Sequence, residues 1–422
     1  MTLQNSVKRA AQRVLFYLTI IGPGLITASA DNDAPGIATY SMAGSTYGYA
    51  FLWMILVVTV GEVVVQEMAA RMGATTGKGL ADLIRERFGV KVTAFAMFCL
   101  LLANFGTTVA QFAGIAAGME LLGISRYLAV PVAALLVWLL VTRGSYTRVE
   151  KFLLTLCLAS LSYVVSAFMI RPPWGVVLQQ AVTPAFHFET GYVLALLATV
   201  GTTITPWGCV YLQASVVDKG VTPQKYRYTR LDVVTGVAFG NVISAFVIIC
   251  TAATLFVHGV QVETAEQAAL ALAPLAGPWA KYLFNVGLLG ASLLAASVLP
   301  LATTYAVCEA FGWERGMNNR TQEAPVFYGL YTGLVMLSAA VVLLPGVPLF
   351  PLMWLSQTLN AILLPVLLVL MLRLANDPHL MGAHRNSRMT NFLAWGLTGL
   401  IVLITLILFT APLWQAGAGR TY

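Results

Sequence analysis

Of the chain's 422 residues, 59% are hydrophobic and only 10% are charged, and the mean hydropathy is +0.80. A water-soluble globule carries roughly a quarter of its residues charged, so this composition excludes a soluble protein and fits a chain solvated mostly by lipid. The net charge of +7 does not point to a nucleic acid, because the basic residues gather in the connections between apolar segments.

The chain opens with MTLQNSVKRAAQR, residues 1–13, which is polar, basic and without a small-residue cleavage site. It reads as a cytoplasmic leader and not as a cleaved signal. A membrane-spanning helix needs about 20 mostly apolar residues, and eleven segments qualify: 14–44, 49–70, 92–122, 127–142, 152–170, 192–217, 233–257, 282–311, 325–344, 349–372 and 389–413. Connections are short except 171–191, 218–232 and 258–281, so residues 14–413 form one membrane domain with no separate soluble unit. With the N-terminus inside, 20 of the 24 Lys and Arg lie on the cytoplasmic side, leaving Arg126, Arg171, Lys281 and Arg420 outside. That asymmetry supports the span count and a multi-pass protein of the cell's inner (plasma) membrane.

The first span is interrupted. Gly22-Pro23-Gly24 is followed by Asp31-Asn32-Asp33-Ala34-Pro35-Gly36, which places two carboxylates beside a helix breaker at membrane depth. Pro35 removes a backbone donor and disfavours helix at Ala34. Irregular backbone in a membrane is tolerated only where protein encloses it or a wet cavity borders it. Intramembrane acids are costly and mark ion pathways. Asp33 therefore reads as the primary ligand of a cation, its neighbouring unwound carbonyls facing inward. Asp31 either draws ions into an outer vestibule or caps the half-helix beyond the break.

In the second span Glu62 lies mid-membrane, as a cavity-lining carboxylate or as a hydrogen-bonded structural acid. The third span carries a polar stripe, Asn104, Thr107, Thr108 and Gln111, that reads as packing polarity rather than a proton wire. The sixth span breaks at Gly201-Thr202-Thr203-Ile204-Thr205-Pro206-Trp207-Gly208. There Thr205 and the carbonyl of Thr202, three residues earlier on the same helical face, complete the candidate site, and Trp207 packs as a wall. Gln357 in the tenth span is either close to the ion or interhelical glue. The four histidines sit in or beside connections, which removes the commonest ligand of a buried zinc or redox-metal site. The five cysteines read as buried apolar residues with no disulfide framework.

Breaks at corresponding places in two halves are the sequence mark of a transporter's central site. Spans one and six are those places in an inverted repeat of five plus five helices with one extra helix. No nucleophile–base pair, phosphate loop or HExxH motif points to an enzyme.

Once laid out, these residues resemble a family. GPGLITASADNDAPGIATYSMAGSTYGYAFLW from Gly22, QEMAARMGATTGKGLADL over 66–83, residues 263–277, and SQTLNAILLPVLLVLMLRLANDPHLMG over 356–382 are similar to stretches of the Nramp (natural resistance-associated macrophage protein) metal transporters. The resemblance covers nearly the whole chain. It implies an all-α, LeuT-like fold of eleven transmembrane helices that works by alternating access, with a divalent metal ion as cargo and no resident cofactor. The family's metal-binding D-P-G-N falls on Asp33-Ala34-Pro35-Gly36, so the aspartate is kept and the asparagine has become Gly36. Its M-P-H on helix six falls on Thr205-Pro206-Trp207, which removes the methionine and the histidine. Two acids of its proton route fall on Thr108 and Gln111.

This pattern is similar to the Nramp-related magnesium transporter branch. A thioether favours softer ions and a hydroxyl does not, while Mg2+ retains several waters and the lost side chains leave room for them. The expectation is a monomeric carrier of Mg2+, and also Mn2+, without proton coupling. The competing readings are a proton-coupled Mn2+/Fe2+ symporter and a sodium-coupled symporter of amino acids on the same fold.

Overall fold

A computed structural model describes residues 32–143, 158–314 and 322–418. The first half of the first span, with Asp31, lies outside the described residues. Among them, eight helical stretches are long and apolar enough to cross a membrane, and two shorter apolar helices cover 126–142 and 158–170. One of the eight, Ala34–Thr76, turns within Gly48–Phe51 and therefore serves two expected spans. All eleven expected segments thus contain helix.

The principal helices are α1 (Ala34–Tyr47), α2 (Leu52–Thr76), α3 (Leu80–Leu121), α4 (Arg126–Arg143), α5 (Leu161–Ile170), α6 (Trp174–Val182), α7 (Thr190–Thr203), α8 (Pro206–Asp218), α9 (Tyr226–Thr254), α10 (Ala280–Phe311), α11 (Pro325–Val342), α12 (Leu349–Ala375) and α13 (Arg388–Ala418). Several of the expected connections contain helix, among them 71–91, 171–191 and 258–281, the last with a short helix over Ala265–Leu270. The first holds residues 80–88, separated from the rest of α3 by Gly89, whose φ of 76° only glycine adopts cheaply. Leu80, Leu83 and Ile84 are buried while Arg85, Glu86 and Arg87 are exposed, an amphipathic pattern too polar for a span. The second holds α6 in the stretch 171–191.

Both breaks follow from local chemistry. Asp33 is extended (ψ −175°) and caps α1, accepting a hydrogen bond from the Gly36 N–H with Pro35 in the first turn. Asp is a preferred N-cap, and proline is tolerated where no intrahelical N–H is needed. In the sixth span α7 ends at Thr203, Ile204 (ψ 81°) and Thr205 (ψ 135°) leave helical geometry, and Pro206 starts α8.

The packing repeats with a shift of five spans. α1, the second half of span one, packs on α9 (span seven); α8, the second half of span six, packs on α2 (span two). Spans two and seven touch each other as α2 and α9, and spans three and eight as α3 and α10. An exchange of each span for its counterpart five places on leaves this pattern unchanged, as an inverted repeat requires. The sixth span lies at the centre: 94% of its apolar window is buried. On the periphery, Phe98, Leu128, Phe168, Phe392 and Phe409 are at least 60% exposed, which suits contact with lipid tails.

Candidate metal-ion site

Asp33 is 4% exposed. Its Oδ1 accepts from the Gly36 N–H at 2.9 Å, and its Oδ2 accepts from the Gln111 side-chain amide of α3. Gly36 contributes this N–H and no side chain. Gln111 is wholly buried, and its Oε1 has no hydrogen-bond partner. The residue is therefore more than packing polarity: it touches the carboxylate directly. Helical spacing carried the signal, because Asn104, Thr107 and Gln111 recur along one face of α3. Each reaches a different neighbour, Asn104 donating to Thr303 of α10 at 2.7 Å and Thr107 accepting from Asn360 of α12 at 2.8 Å. Thr108 turns back to its own helix, donating to the Asn104 carbonyl at 2.7 Å.

At the sixth-span break the hydroxyls of Thr202 and Thr205 are buried and have no partner. Their neighbour Thr203 differs: it donates to the Thr199 carbonyl at 2.8 Å and lies 2.9 Å from the Tyr40 hydroxyl of α1. Thr205 precedes a proline, occupies an N-cap position and makes no capping bond. A buried hydroxyl without a partner costs about 1–3 kcal/mol, and among the described residues, which begin at Asn32, these two have none.

Gln357 is held within α12. Its amide donates to the Ser356 hydroxyl at 2.8 Å and its Oε1 accepts from Asn360 at 2.9 Å. Its backbone carbonyl lies so close to Gly201 that a Cβ there would come within 1.8 Å of it. Asn360, which the sequence reading did not single out, joins Gln357 to Thr107 and so links the tenth span to the third. The two breaks are thereby connected through α3, by Gln111 to Asp33 and by Thr107 and Asn360 to the segment at Gly201.

Glu62 is 1% exposed and accepts from Gln66 at 2.7 Å and from Asn241 of α9 at 2.6 Å. One helical turn along α9, Ser244 donates to Asn32 at 3.1 Å, and Asn32 in turn donates to the Gly240 carbonyl at 3.1 Å. Asn32 thus anchors the residue before Asp33, a role its plain amide did not advertise. Trp207 packs against Ala291, Leu294, Val298 and Leu299 of α10, with its indole N–H unpartnered.

Cavities lie at both ends of α3. One of about 840 Å³ is bordered by Met42 and Thr46 of α1, Glu120 and Arg126, Glu263 and Glu266, and Trp354. The other, about 240 Å³, is bordered by Lys78, Asp82, Asp218, Tyr305 and Glu309. Asp33 borders neither. Among the described residues no three His, Cys, Asp or Glu side chains come together as a metal cage. Among the described residues the carboxylate at the first break is that of Asp33, with the Gly36 N–H and the Gln111 amide upon it.

A buried helix start at Asp33 and a broken, centrally buried sixth span, in a packing pattern that repeats with a shift of five spans, are the marks of a secondary transporter of the inverted-repeat class. The family description "Natural resistance-associated macrophage protein-like" matches residues 24–411, and the chain belongs to that family. It is 27% identical over 419 residues to the divalent metal cation transporter MntH of Aeromonas hydrophila, covering 97% of this chain and all of that one. It is also 27% identical over 402 residues to MntH of Bacillus subtilis, covering 93% and 92% of the two chains. Among solved structures, the Eremococcus coleocola manganese transporter superimposes with a TM-score of 0.73 at 22% identity, over 93% of this chain and 85% of that one. The nucleobase-cation symporter Mhp1 follows with a TM-score of 0.51 at 15% identity, over 94% and 92%. The fold is the LeuT-like one. Membership places the chain among transporters and not among enzymes.

Proposed function

We propose that the protein carries divalent metal cations across the membrane by alternating access, with Mg2+ the principal cargo, Mn2+ a second, and no obligatory proton coupling. The observation that carries this reading is the donor set: Asp33 with the unpartnered Thr202 and Thr205 hydroxyls, and neither thioether nor imidazole at either break. A carboxylate with neutral oxygens suits a hard ion that keeps part of its hydration shell. Thr108 and Gln111, where the family has acids, cannot release a proton. Two charges crossing gain roughly 4.6 kcal/mol per 100 mV, at about 2.3 per charge, so voltage alone supplies the drive.

Proteoliposome uptake tests the reading. Excess Mg2+ should compete with Mn2+ influx, and the lumen should not acidify in step with the metal. Titration calorimetry should show Mg2+ and Mn2+ binding to the native chain and none to Asp33→Ala; undiminished binding in that variant would remove the central claim. The second reading, a proton-coupled Mn2+ carrier, draws support from the names of the relatives. It would be favoured by Mn2+ uptake indifferent to Mg2+, with luminal acidification comparable to metal flux.

A further inference from the structure

At the basic end of the bundle, a cavity of about 540 Å³ is bordered by Arg87, Phe88, Arg373, Asn376, Asp377 and Pro378. Arg87 meets the Asp377 carboxylate through its Nε at 2.6 Å. The arginine side chain stays 57% exposed. Arg373, in the last turn of α12, is exposed and makes no hydrogen bond or ion pair among the described residues. Lys91 is exposed just past the Gly89 bend. Two arginines thus border the cavity beside one carboxylate, which is itself 4% exposed and already engaged by Arg87.

Apolar surface runs from this cavity toward the membrane centre. On α3, Phe95, Phe98 and Leu102 follow Lys91 at helical spacing and are 58%, 61% and 39% exposed. On α12, Val366 and Val369 lie on the face that ends at Arg373 and are half-buried. Between the two helices is a narrow crevice lined by Cys99, Leu363 and Val366, with Pro206 also on its wall.

We propose that this cleft between α3 and α12 is a binding site for an anionic phospholipid. The phosphodiester is held by Arg87 and Arg373, with Lys91 at the head of the exposed stripe, and one acyl chain lies along Phe95, Phe98 and Leu102. Guanidinium groups match phosphate oxygens in pairs, and basic pockets between spans on the cytoplasmic side recognise anionic headgroups. The occupant is a lipid and not free phosphate, because the cations stand at the head of a stripe that only an apolar chain would cover. The site is independent of which ion is transported.

Native mass spectrometry of the full chain, equilibrated with equal phosphatidylglycerol and phosphatidylcholine, tests it. The native protein should retain phosphatidylglycerol about tenfold over phosphatidylcholine, and each cation removed should cost about fivefold. R373K should keep the preference and R373E should lose it at an unchanged melting temperature. Where R373E fails to fold, R373Q and K91Q provide the same readout without reversed charge. Excess inorganic phosphate should leave the retained lipid in place. Equal retention of the two lipids, indifference to the charge at 373, or displacement by inorganic phosphate would each overturn the proposal.

Discussion

Among the described residues the Asp33 carboxylate has two hydrogen-bond partners, and both are neutral. The Gly36 N–H and the Gln111 amide satisfy its oxygens without a countercharge, so an arriving cation displaces no salt bridge. A charged partner would have to be removed at a cost of several kcal/mol. Replacing Gln111 by leucine leaves Oδ2 without its donor, and the empty protein should lose about 1–3 kcal/mol of stability, read as a lower melting temperature that saturating Mg2+ largely restores. Thr205 is the residue at which selectivity is expected to turn. Thr205→Met brings a thioether to the break, and the Mn2+/Mg2+ affinity ratio measured by calorimetry should rise about tenfold, close to 1.4 kcal/mol. An unchanged ratio would mean that the hydroxyl does not face the ion.

At the scale of elements, the close approach of α7 to α12 is the tightest constraint near the site. A methyl at Gly201 would overlap the Gln357 carbonyl and reach Ala361 N at 2.7 Å, and both obstacles are backbone. Gly201→Ala should therefore abolish uptake and destabilise the fold by about 1–3 kcal/mol or more; near-native uptake with an unchanged melting temperature would contradict that packing. The helices themselves were legible in the sequence because membrane spans announce their length and polarity. The breaks were legible because proline beside Asp33 and Thr205 leaves few alternatives. Asn32 and Asn360 were not, since an amide's partners lie far along the chain and no local pattern announces them. The helix over 80–88 was missed for a related reason: its apolar face is too narrow to stand out beside spans, and only the bend at Gly89 separates it from the third.

On the scale of the whole molecule, cavities lie at opposite ends of the bundle, one bordered by Thr46 and Glu120 and the other by Asp82 and Asp218. Thr46 and Ser215 border the larger and the smaller cavity respectively. In a cysteine-free background, Thr46→Cys and Ser215→Cys should react with impermeant thiol reagents from opposite faces of the reconstituted membrane, and labelling of both from one face would refute the arrangement. A last consequence concerns the return stroke. On the proposed reading Asp33 would hold the ion, and it also caps α1 through Gly36, so unloading would leave the helix start intact. A carrier with no co-ion must reset while empty, and a hinge that keeps its shape unladen allows it to do so without refolding.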